Sequence, residues 1–165
     1  MEFNELVSDF ATRYGVEGLS ANDGAAVLEV DSMTVGFIHD PASADDIDDG
    51  IMVVVEIGYP PPDADGPFGE IMLKANYLLG GTNGAVLCQN PDTDAYAVMR
   101  RYSLAAHDGA SFAAALEKLI TTAENWKSVI SCMMDAESEK EKLDEEDHDD
   151  EPPAIGFSAN GFMQV

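Results

Sequence analysis

Residues 67–104 read PFGEIMLKANYLLGGTNGAVLCQNPDTDAYAVMRRYSL, a helix pattern followed by two strand patterns. Apolar residues recur at three- and four-residue intervals from Phe68 to Leu79, which predicts a helix with one buried face. Pro67 is suited to the start of this helix, and Gly80-Gly81 to its end. Residues 84–89 and 95–104 then predict a hairpin around the turn-forming residues 90–94.

The flanking sequence extends this pattern in both directions. Apolar residues at helical spacing from Phe3 to Tyr14 predict a first helix that ends at Gly15. Strands are predicted at 25–30, 33–39 and 51–57, and a last helix over 112–133 with Asp108 or Ser111 as its N-cap. The order helix, three strands, helix, two strands, helix predicts an α+β fold: a single antiparallel sheet of about five strands with three helices packed on it.

The charge divides the chain into two parts. The protein has 165 residues, of which 45% are hydrophobic, and a formal net charge of −24. Residues 135–151 alone carry eleven acids and two lysines. We therefore predict one folded domain over residues 1–134 and an extension over 135–165 that joins this acidic stretch to an apolar tail. The tail, residues 154–165, has no charged side chain, and we expect it to dock on an apolar groove of its own subunit or of a partner copy.

The composition excludes several classes of function. An excess of 32 acidic over 8 basic residues argues against binding to nucleic-acid phosphates or to anionic lipid, and favours a basic or polar peptide partner. Residues 1–20 show no secretory signal, and no apolar run is long enough to span a bilayer. Cys88 and Cys132 lie among apolar neighbours and are predicted to be buried, inert thiols. These features predict a cytoplasmic protein without membrane insertion.

The sequence contains no pattern typical of a catalytic or metal site. The acidic loop from Asp40 to Gly50 resembles a calcium-binding loop in part, but Ile47 stands where an oxygen ligand is needed. The three histidines lack metal-ligand spacing, and the glycines at 80–84 lack the lysine of a phosphate-binding loop. We therefore predict no enzyme, no catalytic residue, no metal ligand and no cofactor.

Several segments, taken in order, resemble one known family. A first helix ending at Tyr14-Gly15 and an apolar strand at 51–57 are followed by residues 71–78, IMLKANYL, which resemble the family's "LLxAN" second helix. Residues 84–87 and 96–98 resemble the strands that come next, and residues 116–126 its final helix. Over about residues 3–131, the chain is similar to the class I type III secretion chaperones of the Tir chaperone (CesT-like) family.

This resemblance implies a function and a set of residues. It implies a bacterial cytoplasmic homodimer that binds the N-terminal segment of a secreted effector protein in extended form, keeps it soluble and secretion-competent, and delivers it to the secretion ATPase. The residues that it implies for the dimer interface are Met72, Ala75, Tyr77 and Leu78. The candidate effector-binding residues are Phe3, Leu6, Val27, Met33, Val35, Met52, Val54 and Tyr96, each of which could instead be ordinary core.

A second function remains open at this stage. A protein of net charge −24 could be an acidic interaction module, such as a nucleic-acid mimic or an inhibitor that occupies a basic cleft on another protein. Salt distinguishes the two, because a mimic should lose affinity steeply as salt screens its charges, whereas binding in an apolar groove should not.

Overall fold

The computed structural model describes residues 2–43, 48–60 and 65–148, with side chains except at 65, 137 and 140–148. The elements in chain order are α1 (Phe3–Tyr14), β1 (Ala25–Val30), β2 (Met33–Asp40), β3 (Gly50–Gly58), α2 (Asp65–Asn76), a short 3-10 segment (Tyr77–Thr82), β4 (Val86–Gln89), β5 (Tyr96–Ser103) and α3 (Gly109–His148). The strands form one antiparallel sheet in the order β1-β2-β3-β5-β4. The predicted α+β fold with five strands and three helices is confirmed.

Local sequence explains where the elements begin and end. Gly15 ends α1 in the left-handed region at φ 64°, where a residue without Cβ is favoured. Asp31 and Ser32 both have positive φ, 47° and 60°, which is the turn geometry that suits the twist of a two-residue hairpin. Asp108 is the N-cap of α3, since its Oδ1 accepts the Ser111 amide proton over 2.8 Å. The Ser111 hydroxyl donates to the same Oδ1 over 2.7 Å, and this bond, together with the bond from the amide, lowers the pKa of Asp108.

The core lies between one face of the sheet and helices α1 and α3. Alternate residues of β3 are buried on this face, from Ile51 to Ile57. Phe10 of α1, Phe37 of β2 and Phe112 of α3 meet at its centre, with ring centroids 5.9 to 6.2 Å apart. Helix α2 lies beside β4, where Phe68 packs edge-on against Tyr96 at 4.8 Å. All described helices therefore lie on one side of the sheet or at one edge, and none of them covers the other face.

The structure differs from the sequence-based expectation at α2. The predicted helix continues to Gly80, but the α-helix ends at Asn76. Leu78 and Leu79 then adopt left-handed backbone angles, with φ of 56° and 54°. This change of direction turns Leu78 away from the apolar stripe that the spacing predicts, and 83% of its surface is exposed.

The last helix also carries two findings. Cys132 is exposed on α3, so the prediction that it is buried was wrong, whereas Cys88 is half-buried in β4 and burial raises the pKa of its thiol. Met133 is the last residue of α3 that packs on the core among those with described side chains. The division at residue 134 stays a prediction, and the apolar tail at 154–165 lies outside the described residues.

Candidate functional site

The β4 edge of the sheet is blocked at Ala85 and Leu87 by Thr82 and Asn76 of the same chain. Asn76 Nδ2 donates to the Leu87 carbonyl over 3.0 Å, and Asn76 Oδ1 accepts the Leu87 amide proton over 2.9 Å. Thr82 satisfies Ala85, because the Thr82 hydroxyl donates to the Ala85 carbonyl over 2.5 Å and the Thr82 backbone carbonyl accepts the Ala85 amide proton over 3.0 Å. Since these backbone groups are satisfied, β4 offers no pairing site at Ala85 or Leu87.

The β1 edge remains open at two residues. The two-residue turn makes Val30 and Met33 a hydrogen-bonded pair, so alternation directs the backbone of residues 25, 27 and 29 away from β2. Ala25 exchanges two hydrogen bonds with Asn22, over 2.8 and 3.0 Å. Val27 and Glu29 have no such backbone partner within the described parts of the chain. Each therefore offers one N–H and one C=O group to a further strand.

The face of the sheet opposite the helices, which we call the helix-free face, is largely apolar. The strand register aligns its side chains in rows that cross the sheet. The central row consists of Val27, Gly36, Val54, Met99 and Val86. The row on one side begins with Ala25, Ile38 and Met52 and ends at Arg101. We call the apolar members of these two rows the apolar band.

A groove of about 500 Å³ lies along the helix-free face. Val27 and Ile38 form part of its wall and are 66% and 47% exposed, so their apolar surface is available to a partner. Gly36 leaves a trough between Val27 and Val54, since the nearest atom to a Cβ placed there would be the Val54 carbonyl oxygen at 3.9 Å. A partner side chain could occupy this trough without displacing any residue.

A second groove borders the same edge strand on the helix side. Its volume is about 410 Å³, and it lies between β1, the end of α1 and the first half of α3. Its apolar lining includes Val16, Leu28, Val30 and Ile120. At its rim, the Tyr14 hydroxyl donates to Glu117 Oε1 over 3.3 Å. Desolvation and the neighbouring Glu117 carboxylate raise the pKa of Tyr14.

The structure separates the predicted effector-binding residues into two groups. Val27, Met52 and Val54 lie on the helix-free face, within the apolar band. The other five side chains are buried in the core, where a docked segment would not reach them without rearrangement: Phe3, Leu6, Met33, Val35 and Tyr96. Only Val27, Met52 and Val54 therefore remain candidates for a binding site. The reason for the difference is packing, because α1 and α3 cover the face to which the five point.

The residues predicted for the dimer interface also divide. Met72 is buried and Ala75 is half-buried against the domain. Tyr77 and Leu78 are exposed, at 75% and 83%, and Leu73 beside them on α2 is exposed as well. Together these three side chains form an apolar surface, which we call the α2 patch. Contiguous exposed apolar residues of this kind are typical of interaction surfaces.

The loop between β2 and β3 is anchored at both ends of its described parts. Arg101 Nε donates to Asp40 Oδ2 over 2.5 Å, and its Nη2 donates to the Asp48 carbonyl over 2.9 Å. Asp49 accepts the Ala42 amide proton over 2.7 Å, and this bond is the main cause that lowers the pKa of Asp49. Gly50 allows this arrangement, because a Cβ there would lie 2.6 Å from Arg101 Cζ.

No cluster of metal-binding type occurs among the residues that the structure describes. Nor is any described helix both long and apolar enough to cross a membrane. The chemistry available at the described surfaces is that of binding: backbone hydrogen bonds at β1, apolar contact on either side of it, and acidic side chains around both.

Sequence reasoning missed two residues of this site, Asn76 and Gly36. The IMLKANYL pattern predicts only a helix at Asn76, although an Asn at the end of a helix that precedes a strand can satisfy that strand's backbone. Gly36 interrupts an apolar strand, and a glycine in a strand often marks a close approach by another group.

The sequence and the fold of this chain were compared with those of known proteins. The sequence model of the Tir chaperone protein (CesT) family matches residues 5–127. A comparison with curated proteins finds no match. Among solved structures, the ExsC-ExsE complex is similar with a TM-score of 0.60 and 18% identity, covering 77% of this chain and 92% of that one.

Two further solved structures have a similar fold. The HopA1-SchA chaperone-effector complex has a TM-score of 0.53 and 16% identity, covering 76% of this chain and 89% of that one. The heterodimeric ExoU-SpcU complex of the Pseudomonas aeruginosa type III secretion system has a TM-score of 0.52 and 16% identity, covering 77% and 95%. At these identities the likeness supports the fold.

Proposed function

Because this chain belongs to the Tir chaperone protein (CesT) family, whose members are binding proteins of type III secretion and not enzymes, we propose that it binds the N-terminal segment of a secreted effector. The segment is held in extended, non-globular form, which keeps it soluble and competent for secretion. The similar HopA1-SchA structure is a chaperone-effector complex, which supports an effector as the partner class. The proposal includes a cytoplasmic location and delivery to the secretion ATPase.

One observation supports the binding mode: β1 is an edge strand with two successive outward residues that lack a described backbone partner, and it has an apolar groove on each side. An added strand would exchange backbone hydrogen bonds with Val27 and Glu29. Its successive side chains would point alternately to the two faces of the sheet. One set would enter the groove of the helix-free face, near Val54, and the other the helix-side groove, near Leu28 and Ile120.

The proposal also includes a homodimer. The α2 patch exposes Leu73, Tyr77 and Leu78 on the opposite side of the domain's fold from the open β1 edge, next to the closed β4 edge. An interface there would cover apolar surface and leave β1 available in each copy. Met72 and Ala75 would support this surface from beneath rather than contact the partner copy.

The binding mode can be tested at the edge itself. We expect Val27→Pro to abolish strand pairing, because it removes the outward N–H, while an edge strand tolerates proline. Val27→Thr is the matched control, since it keeps the N–H and the β-branched shape. The probe is a tiled array of peptides from the N-terminal regions of proteins secreted by the source bacterium. Binding by the wild type and by Val27→Thr, but not by Val27→Pro, is expected.

The groove offers an independent test. Gly36→Val fills the trough of the helix-free face, and the 3.9 Å approach shows that its Cβ fits. We expect Gly36→Val to weaken peptide binding without loss of folding. The proposal is refuted if no peptide binds the wild type. It is also refuted if peptides bind Val27→Pro and Gly36→Val as tightly as they bind the wild type.

A further inference from the structure

A third row of side chains borders the apolar band on the helix-free face and is partly acidic. The register pairs Glu29 with Thr34, and its continuation brings Thr34 opposite Glu56 of β3. Ala97 and Cys88 complete the row. Glu29 and Glu56 therefore lie two strands apart, or about 10 Å, on the same face. We call these two residues the acidic pair.

Glu56 is the more distinctive member of the pair. Its side chain is half-buried beside the groove, and its Oε1 accepts hydrogen bonds from Asn90 Nδ2 over 2.9 Å and from Thr93 Oγ1 over 3.4 Å. Both donors are neutral. None of the ion pairs formed by described residues includes Glu56. A half-buried carboxylate without a cation nearby is unfavourable, since charges removed from water are usually paired with an opposite charge.

Four of the cations with described side chains are engaged by other groups. Arg13 lies 3.8 Å from Asp9, Lys74 2.6 Å from Glu70, and Arg101 binds Asp40. Lys127 lines a small cavity together with Glu56, but its Nζ donates to the carbonyls of residues 31 and 32, over 3.3 Å each, and the described parts of the chain show no ion pair between it and Glu56. With 32 acidic against 8 basic residues, a cation for Glu56 is most readily supplied by a partner.

The spacing of the rows defines what such a partner must present. Adjacent rows on one face are separated by two residues along a strand, which is about 7 Å. A bound segment with an apolar side chain on the apolar band would therefore bring a basic side chain two residues away to the acidic pair. Asp92, which also lines the groove, adds a further carboxylate at this end.

We propose that the groove of the helix-free face binds a Lys or Arg side chain of the extended segment. Glu56, which lines the groove, holds this side chain, and Glu29 adds negative charge from the β1 edge, outside the groove lining. This inference rests on the proposed function and specifies its partner chemistry: an extended segment in which a basic residue lies two positions from an apolar one. The apolar band supplies contact area, and the acidic pair selects which segment fits and in which position.

Two synthetic peptides test this proposal with the full-length protein. Both have the sequence SVSVSRSVS, acetylated and amidated, but in one the arginine is replaced by its neutral isostere citrulline. The proteins are the wild type, Glu56→Gln, which keeps an acceptor for Asn90, and Glu124→Gln, which removes the same charge at an exposed position of α3. Calorimetry measures affinity, and amide NMR shifts locate the bound peptide.

We expect the arginine peptide to bind the wild type and Glu124→Gln about tenfold more tightly than the citrulline peptide, as for one charge-assisted contact. In Glu56→Gln the two affinities should become equal. Equal binding of both peptides to the wild type, with shifts at Gly36 and Val54, would refute the basic-residue inference alone. An arginine preference that persists in Glu56→Gln would also refute it, because the preference would then reflect a general attraction of the peptide to an acidic protein. If neither peptide shifts Val27, Gly36 or Val54, the surface assigned under the proposed function fails as well.

Discussion

Replacing Asn76 with alanine should destabilise the domain by opening the β4 edge. The change removes two hydrogen bonds to Leu87, of 3.0 and 2.9 Å, each of which contributes about 1 kcal/mol net. The Leu87 amide and carbonyl are part-buried, and leaving them unpaired adds to this loss. Alanine recovers about 0.5 kcal/mol through its higher helix propensity. The free energy of unfolding should therefore fall by about 2 kcal/mol.

Chemical denaturation and amide hydrogen exchange measure this effect. For a domain of this size, 2 kcal/mol corresponds to a decrease of about 5–8 °C in the melting temperature. The Leu87 amide should lose protection more than the amide of Val98, its neighbour across the ladder. Asn4→Ala is the matched control, because Asn4 is exposed on α1 and its substitution should change stability by less than about 0.5 kcal/mol. An equally small change in Asn76→Ala, with Leu87 still protected, would refute the account of the closed edge.

Three further predictions concern other parts of the fold. Leu78→Gly should stabilise the dilute monomer by about 1 kcal/mol, because glycine adopts φ 56° without strain. The same change should weaken self-association measured by sedimentation equilibrium, and unchanged association would contradict the proposed interface. Asp108→Asn keeps a capping acceptor but removes the charge. Because the pKa of Asp108 is lowered in the folded state, the wild type should melt at a higher temperature than the variant above about pH 4, and this advantage should vanish as the pH falls through the folded pKa; a constant difference from pH 2 to 7 would contradict the assignment. Gly50→Ala should destabilise the wild type by about 1 kcal/mol in urea, because its Cβ displaces the guanidinium of Arg101, and should have little effect when Arg101 is already alanine; equal effects in both backgrounds would refute this cause.

The sequence predicts the elements well where one periodicity dominates. The three- and four-residue spacing of α1 and α3 and the apolar runs of β2 and β3 reflect local patterns that a single layer of packing enforces. The end of α2 could not be predicted in this way. Leu78 and Leu79 continue the helical spacing, but they lie between Asn76 and Thr82, which are both attached to β4, and their backbone is in the left-handed region.

The candidate site was harder to predict than the fold. An apolar strand residue gives the same signal whether it points to the core or to an open face. Met33 and Val35 point towards α1 and α3, while Met52 and Val54 point to the helix-free face, and the distinction depends on which side the helices cover. The acidic pair could not be predicted from the sequence either, because Glu29 and Glu56 are distant in sequence and come onto the same part of one face only through the strand register.

Because the two edges of the sheet differ, the domain can pair with one further strand, at β1. A sheet with two open edges can add copies of itself without limit, which is the route to fibres. Here Asn76 and Thr82 occupy the outward backbone groups of Ala85 and Leu87, which leaves only Gln89 of β4 without a described backbone partner. One such residue is too little for a strand to pair with, so a strand that adds to β1 leaves no comparable site for growth among the described strands. Even two copies that met edge to edge would form a closed ten-stranded unit. The same chain can therefore present an adhesive edge to an unfolded polypeptide at high concentration and still not polymerise through its own sheet.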